Sequence, residues 1–544
     1  MAVHRPNRSH RMAIYFNALA ISTLPIMSIY CTWMYIVCMA SLSKNDRYFL
    51  ASVASLGYSN PFLPERINLE RAALGSEFVS RGVVWSASVS DPDSTRANVT
   101  LLHRKLEDRM EALQSVLAAA SDPQLDEWSI YEESVHYLLY QRYYLRFVAA
   151  RGKWNFYSDF LADWNRLCQV PGKQFQSALE PAHVFACFRQ IQRAFHLIYD
   201  NIIGNSMPAG HLRATIWQSI FTHDMRRYRR VLYRKMGEFP TLITGPSGTG
   251  KELIARAIAG SRYVPFDPER KEFADARTDA FLPINIAALS PTLIESELFG
   301  HRRGSFTGAI GDRKGWLEAC PPSGSVFLDE LGEMDLAIQV KLLRVIETRK
   351  FSPVGDTAAH EFQGKLIAAT NRNLPVEIQA GRFREDLYYR LCADLVQTPS
   401  LADQIRDSPA AFGELLHYMT LRTVGEEAER SLPEVQQWIA THLPSDYEWP
   451  GNFRELEQCV RNVIIRGSYR PMVQADRRLQ NDFAARLHRC EFTADQLIAR
   501  YAAQMYRLTG SYEEAARRMG LDRRTVKAKV ELYLEGDASS TSSS

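Results

Sequence analysis

Apolar positions along the chain change their period partway. From residue 44 to about 200 they recur at helical spacing, as in SVHYLLYQRYYLRFVAARGKW and FACFRQIQRAFHLIYDNII. This predicts a mostly helical N-terminal domain, with its Trp and Tyr residues read as core rather than as a ligand box. After about residue 200, short apolar runs alternate with amphipathic ones. FPTLIT, LPINIA, SVFLDE and KLIAATN read as strands, and stretches such as LAIQVKLLRVIET as helices. That alternation predicts an α/β core over 201–400, a parallel sheet with helices on both faces. Helical patterns alone then run to about 470, as a small helical domain, and a final helical unit spans 490–536. The closing DASSTSSS (537–544) reads as a disordered tail.

Composition narrows the class. The 544 residues are 46% hydrophobic and 23% charged, ordinary for a globular protein of several domains. A net charge of +3 excludes a general polyanion binder, so any basic patch must be local. Eight cysteines without a CxxC pair exclude a zinc ribbon and fit a reduced, cytoplasmic protein. The stretch from Met12 to Ser43 carries no charge and follows the basic HRPNRSHR. It is long enough to span a bilayer, but Asn17, Ser22, Thr23, Pro25, Ser28 and Thr32 dilute it. Two readings stay open: a membrane anchor, or a mis-assigned start with the true one at Met39.

Chemistry concentrates after the strand FPTLIT. Gly245, Pro246, Ser247, Gly248, Thr249, Gly250 and Lys251 fit GxxxxGK between a strand and a helix. Backbone N–H groups there can close around phosphate at a helix N-terminus, and Lys251 can reach the outer phosphates. This predicts an ATP site. Glu252 stands where Ser or Thr usually supplies a hydroxyl to Mg²⁺, so the metal must lean on another group. SVFLDE ends in two acids: Asp329 suits Mg²⁺, and Glu330 suits polarising the attacking water. Asn371, after LIAAT, either orients that water or is an ordinary strand-end turn residue. Arg384 and Arg390 in GRFREDLYYRL are either solvated helix charges or fingers reaching a neighbouring subunit's site.

Two further stretches stand out. ESELFGHRRGSFTGAIG sets Phe306 and Thr307 between Gly304 and Gly308, with no partner strand evident. GSYEEAARRMGLDRRTVKAKVELYL reads as a helix-turn-helix. Ser511 with Glu514 forms a capping box, Gly520 ends that helix, and Asp522 caps the next. From Arg507 to Lys529 there are seven basic and three acidic residues. Arg523, Arg524, Thr525, Lys527 and Lys529 are the candidate contacts to double-stranded DNA. An apolar stripe of Ile498, Tyr501, Met505 and Leu508 on the preceding helix is a candidate dimer surface.

In order along the chain, GPSGTGKE, ESELFGHRRGSFTGA, GSVFLDELGEM, LIAATNR, GRFREDLYYRL and WPGNFREL resemble the AAA+ domain of NtrC-type, sigma-54-dependent activators. The C-terminal unit resembles the Fis-type DNA-binding domain that closes this family. The resemblance implies an α/β AAA+ core with a helical lid (401–470), ATP and Mg²⁺ as cofactors, and ATP hydrolysis that remodels sigma-54 RNA polymerase holoenzyme. It implies that Gly304, Ser305, Phe306, Thr307, Gly308 and Ala309 touch sigma-54, Ser305 replacing the usual alanine. It makes Glu252 a family habit, Asn285 the residue that holds Glu330 until ATP is sensed, and Arg384 and Arg390 a trans-acting pair. Arg454 becomes the lid arginine, and the assembly a homo-oligomer, from dimer to hexameric ring, bound to enhancer-like DNA. Two departures remain. RYVPFDPERKEFADARTDA, within 262–280, is a charged insertion expected at the surface, and the usual LPPLRER is replaced by TPSLADQIRDSPAAF, which suggests a shortened hinge. A regulator that keeps the ATPase core only for assembly, without acting on sigma-54, is the alternative.

Overall fold

The computed structural model describes residues 42–80, 96–119, 125–150, 152–168, 179–274, 280–471 and 492–540. All but the last two residues of the apolar N-terminal segment therefore lie outside the described residues. No helix among the described residues is long and apolar enough to cross a membrane. The chain divides into two compact units, residues 1–468 and 469–544.

The first unit opens with helices α1 (Lys44–Leu56), α2 (Glu65–Leu74), α3 (Arg96–Ala119), α4 (Leu125–Ala149), α5 (Tyr157–Cys168) and α6 (Pro181–Asn201). Their apolar stripes meet in one core that includes Leu50, Leu102, Leu106, Tyr131, Phe160, Phe185 and Phe188. Two helices lead on toward the sheet, α7 (Met207–Phe221) and α8 (Met225–Arg230). The elements that follow are β1 (Thr241–Thr244), α9 (Lys251–Gly260), β2 (Phe266–Asp267), β3 (Glu272–Phe273), β4 (Phe281–Asn285), α10 (Pro291–Phe299), β5 (Gly300–His301), β6 (Arg313–Lys314), α11 (Trp316–Ala319), β7 (Ser325–Asp329), α12 (Leu336–Thr348), β8 (Lys350–Phe351), β9 (His360–Glu361), β10 (Lys365–Thr370), α13 (Leu374–Gln379), α14 (Glu385–Leu391) and β11 (Leu395–Gln397).

Five of these strands form a parallel sheet in the order β11-β1-β10-β7-β4. Side chains on a strand alternate between faces, and each face here has its own cover. Leu242, Val326, Leu328, Leu366 and Ala368 pack under α10, α12, α13 and α14. Ile243, Phe327, Ile367, Ala369 and Val396 pack under α6, α7, α8 and α9. Ala194 and Ile198 of α6 belong to the second layer, so the helical domain and the sheet share a core. Four helices complete the unit: α15 (Leu401–Asp407), α16 (Pro409–Val424), α17 (Ala428–His442) and α18 (Asn452–Arg466). Only residues 398–400 separate β11 from α15.

The charged insertion is not a free surface loop. β2 and β3 form a two-stranded hairpin, and its two aromatics turn inward. Phe266 is buried in the N-terminal core beside Tyr157 and Phe185. Phe273 packs edge-on against Trp154 at 4.9 Å, with the Arg189 guanidinium over its ring at 4.0 Å from the centroid. Asp267 and Glu272 pair across the hairpin, and the charges between them occupy the turn; residues 275–279 lie outside the described set.

The second unit holds α19 (Ala494–Thr509), α20 (Tyr512–Met519) and α21 (Arg523–Ser540) around Ala502, Ala515, Ala516, Val526 and Val530. Two expectations change here. Ser511 accepts the Glu514 N–H, but the Glu514 carboxylate turns to Arg517 and Arg518 instead of closing a box. The closed box is one helix earlier, between Thr493 and Gln496. Helix α21 also runs to Ser540, four residues into the segment expected to be disordered; residues 541–544 lie outside the described set.

Candidate nucleotide site and contact loop

β1 delivers the chain to the phosphate loop, and α9 begins at Lys251. The loop is held from three sides. Thr249 Oγ1 donates to the Pro246 carbonyl at 2.9 Å and shares a 2.6 Å bond with Thr398 Oγ1, just beyond β11. Asn452 Nδ2 donates to the Ser247 carbonyl at 2.9 Å, and the Phe453 N–H donates to the Gly248 carbonyl at 3.1 Å. Arg454 Nη1 reaches Ser247 Oγ at 3.4 Å. The N-terminus of α18 is thus seated on the loop. Asn452 pins α15 as well, accepting the Leu401 N–H at 2.8 Å, and adopts a left-handed backbone to do so (φ 53°). The sequence motifs single out Arg454 but not Thr398, Asn452 or Phe453.

Lys251 is buried and donates to the Gly245 and Pro246 carbonyls at 3.0 and 3.1 Å. Burial holds its ammonium below the usual lysine range, against the opposing pull of Glu330 and Asp329. Those two acids close β7. Glu330 has a left-handed backbone (φ 54°), a conformation that costs a non-glycine residue energy and clusters at working sites. Its N–H donates to Asp329 Oδ1 at 3.0 Å. Asn371 follows β10, which lies between β1 and β7, so loop, acids and asparagine share one end of the sheet. No group of three or more acidic, His or Cys side chains collects there or elsewhere among the described residues. Mg²⁺ fits such a site only as it fits other nucleotide sites, through one carboxylate with phosphate and water oxygens completing the shell.

Not every candidate joins this centre. Glu252 turns away, paired with Arg256 at 2.7 Å. Asn285 ends the edge strand opposite Asp329, is exposed, and makes no hydrogen bond to Glu330 among the described residues. Arg384 pairs with its neighbour Asp386 at 2.6 Å, and Arg390 with Glu347 at 3.2 Å. Both guanidinium groups lie at the surface, and neither pairs with Asp329 or Glu330. In the second unit Arg523, Arg524 and Lys527 are exposed, while Lys529 reaches back to Asp495 at 2.8 Å and braces α21 on α19. Ile498, Tyr501 and Leu508 are exposed on α19, whereas Met505 packs inward.

The GSFTGA stretch is flanked by two short strands that pair with each other. β5 and β6 pair antiparallel, making a stem for residues 302–312. Arg302 locks the base, pairing with Asp356 at 2.7 Å and Asp312 at 3.1 Å. Phe306 is half-buried, edge-on to His301 at 4.9 Å, and belongs to neither core layer of the sheet. Thr307 and Gly308 are exposed, and Ile310 is 87% exposed.

Residues 219–396 match the family model described as the sigma-54 interaction domain. The matched stretch covers about a third of the chain. It runs from α7 into β11 and so takes in the five-stranded sheet described above. The chain is 37% identical over 304 residues to the transcriptional regulatory protein ZraR of Escherichia coli strain K12, covering 54% of this chain and 63% of ZraR. It is 41% identical over 239 residues to the luminescence regulatory protein LuxO of Vibrio campbellii, covering 44% of this chain and 48% of LuxO. The chain therefore spans less than two thirds of these relatives. A crystal structure of NtrX from Brucella abortus in complex with ATP matches at 23% identity over 70% of this chain and 82% of that one. Its TM-score is 0.36; the sheet order, not this overlay, carries the fold.

Proposed function

We propose that this protein hydrolyses ATP at the Gly245–Lys251 loop and remodels sigma-54 RNA polymerase holoenzyme through Gly304–Ala309. The observation that carries the reading is the gathering of loop, acid pair and Asn371 at one end of a sheet whose domain also projects a Phe-Thr tip on a hairpin stem. Lys251 would exchange its two carbonyl partners for phosphate oxygens. Asp329 would hold Mg²⁺, which when bound neutralises phosphate charge. Glu330 polarises the water and Asn371 orients it. Arg454 moves with α18 and reports occupancy of the loop. Arg384 and Arg390, exposed on or beside α14, complete a neighbour's site in a ring, so hydrolysis requires the oligomer. The regions 44–200, 201–400, 401–470 and 490–536 act as regulatory, ATPase, lid and DNA-binding parts in the cytoplasm. Arg523, Arg524, Thr525 and Lys527 meet DNA, with Lys529 bracing their helix.

Paired substitutions test this. Glu330→Ala should bind ATP within about threefold of the parent and lose hydrolysis by roughly a hundredfold or more, the scale of a lost general base. Lys251→Ala should lose nucleotide binding itself. Hydrolysis by Glu330→Ala at the parent rate would remove the proposed base.

A further inference from the structure

The helical domain lines an open cavity of about 1170 Å³, which the aromatic-rich sequence did not suggest. Its walls come from α1 to α4 and α6, and also from Trp217 of α7 and Arg229 of α8, so it lies between the helical domain and helices that cover one face of the sheet. Tyr137, Tyr140, Phe188 and Phe195 present apolar faces to it. Such a volume exceeds the few hundred cubic ångströms that a one-ring compound fills.

The polar groups on its wall are left wanting. His136 is 4% exposed, stacks on Trp164, and neither ring nitrogen has a hydrogen-bond partner. Burial, and secondarily the charge of Arg229, hold it well below the usual histidine range, so it is a neutral ring with one donor and one acceptor. Arg229 is 5% exposed; it donates to the Tyr58 hydroxyl and covers the Tyr58 ring, yet its Nε–H is unpaired. The Nε–H of Arg66, also on the wall, is unpaired too. The nearby acids are already matched: Glu133 to Arg226 at 2.7 Å and Glu70 to Arg66 at 2.8 Å. A buried polar group without a partner costs free energy comparable to a lost hydrogen bond. Three such groups facing one apolar-walled space are the mark of a site awaiting a ligand's polar head.

We infer that this cavity is an effector site for a small amphipathic acid, its fused or linked rings lying among the aromatic side chains and its anionic head on Arg229 and His136. The second part of the inference rests on the ATPase reading: the ATPase senses occupancy through α7. That helix carries Trp217 on the cavity wall and packs on α9, β11 and α15. Ser219 of α7 donates to Asp394 at 2.9 Å, and Asp394 accepts from Thr241 at the start of β1 at 2.6 Å. The cavity wall is therefore tied to the strand that leads into the phosphate loop.

The probe is 1-anilinonaphthalene-8-sulfonate, titrated by fluorescence into the full chain. One saturable site per chain is expected, displaced by 1-naphthoate at least tenfold better than by uncharged 1-naphthalenemethanol. Ile191→Trp fills the cavity with added apolar volume and should abolish probe binding while thermal melting holds; His136→Leu should weaken it tenfold or more. Binding unchanged in Ile191→Trp, or non-saturating binding, overturns the site. Equal displacement by acid and alcohol overturns the anionic head. ATP should shift the probe's affinity at least threefold, since linkage is reciprocal; no shift in a chain that hydrolyses ATP overturns the coupling. A chain that binds the probe at this site but never hydrolyses ATP would instead break the function proposed above and leave the effector site standing.

Discussion

The sheet domain holds two glycine-containing loops that use the residue for different reasons. In the phosphate loop Gly248 has φ 79°, and a Cβ there would lie 2.2 Å from the Gly451 carbonyl oxygen. At the hairpin tip Gly304 and Gly308 have φ 81° and 105°, and a Cβ would meet nothing within 4 Å. Both loops need the left-handed region, but only the first also needs the missing side chain. The phosphate loop is clasped by Thr398, Asn452 and Phe453, from two other segments of the chain. The hairpin is clasped at its base, by Arg302, and open at its tip. Tightness therefore sits where phosphate would be cradled, and freedom where a partner would be met. A movement of α18 can register at the phosphate loop directly, because the two share a backbone hydrogen bond and the Asn452 side-chain bond.

The largest effect expected from this contrast is at Gly248. Gly248→Ala must push α18 away from the loop, because the obstacle is backbone rather than a flexible side chain. ATP affinity should fall by about a hundredfold or more, near 3 kcal/mol at 1.4 kcal/mol per tenfold, with a lower melting temperature. Gly304→Ala meets only backbone strain, about 1–2 kcal/mol for a residue held left-handed. It should keep ATP affinity and hydrolysis within about twofold. Nucleotide titrations on both variants check this; normal ATP affinity in Gly248→Ala would mean that the α18 seam is not part of the working site.

Phe306 sharpens the same contrast at the tip. Losing a core phenylalanine costs about 3–5 kcal/mol. Phe306 has one edge-on contact with His301, an arrangement worth about 0.5–1.5 kcal/mol beyond area burial. Phe306→Ala should therefore shift melting only slightly and keep hydrolysis and DNA binding. Nucleotide-dependent binding to sigma-54 holoenzyme, and open-complex formation, should be lost. A large melting shift with parallel loss of hydrolysis would make the tip a structural element, and the two loops would then be alike.

The sequence was legible where the signal is local. The strands containing Leu242, Ile284, Phe327 and Ile367 stood out as short apolar runs, and the acids at 329 and 330 as their polar stop. β11 was missed because three residues carry no period. The seam at the phosphate loop was missed for a different reason: Thr398 and Asn452 lie 149 and 205 residues from their partners, and nothing in a Thr or Asn announces a distant carbonyl. The hairpin at Phe266 and Phe273 was misread because charge density between them outweighed one aromatic at each end. The cavity in the helical domain was invisible, since helical periodicity reports that aromatics face inward but not whether they meet.

The smallest effect expected is at Ser305. Its Oγ is buried without a hydrogen-bond partner, and its Cβ packs where Gly355 leaves room. Ser305→Ala removes the unpaired hydroxyl and keeps the Cβ. The buried hydroxyl is worth at most about 1–3 kcal/mol of lost solvation, and part is recovered by small movements of an open tip. The expected outcome is a melting temperature equal or slightly higher, unchanged hydrolysis, and sigma-54-dependent transcription equal or stronger, since alanine is what the family loop usually carries there. A fall in transcription with unchanged melting would mean that the hydroxyl finds a partner only in the working assembly. The tip would then be held by hydrogen bonds from above, as the phosphate loop is, and its freedom would belong to the resting chain alone.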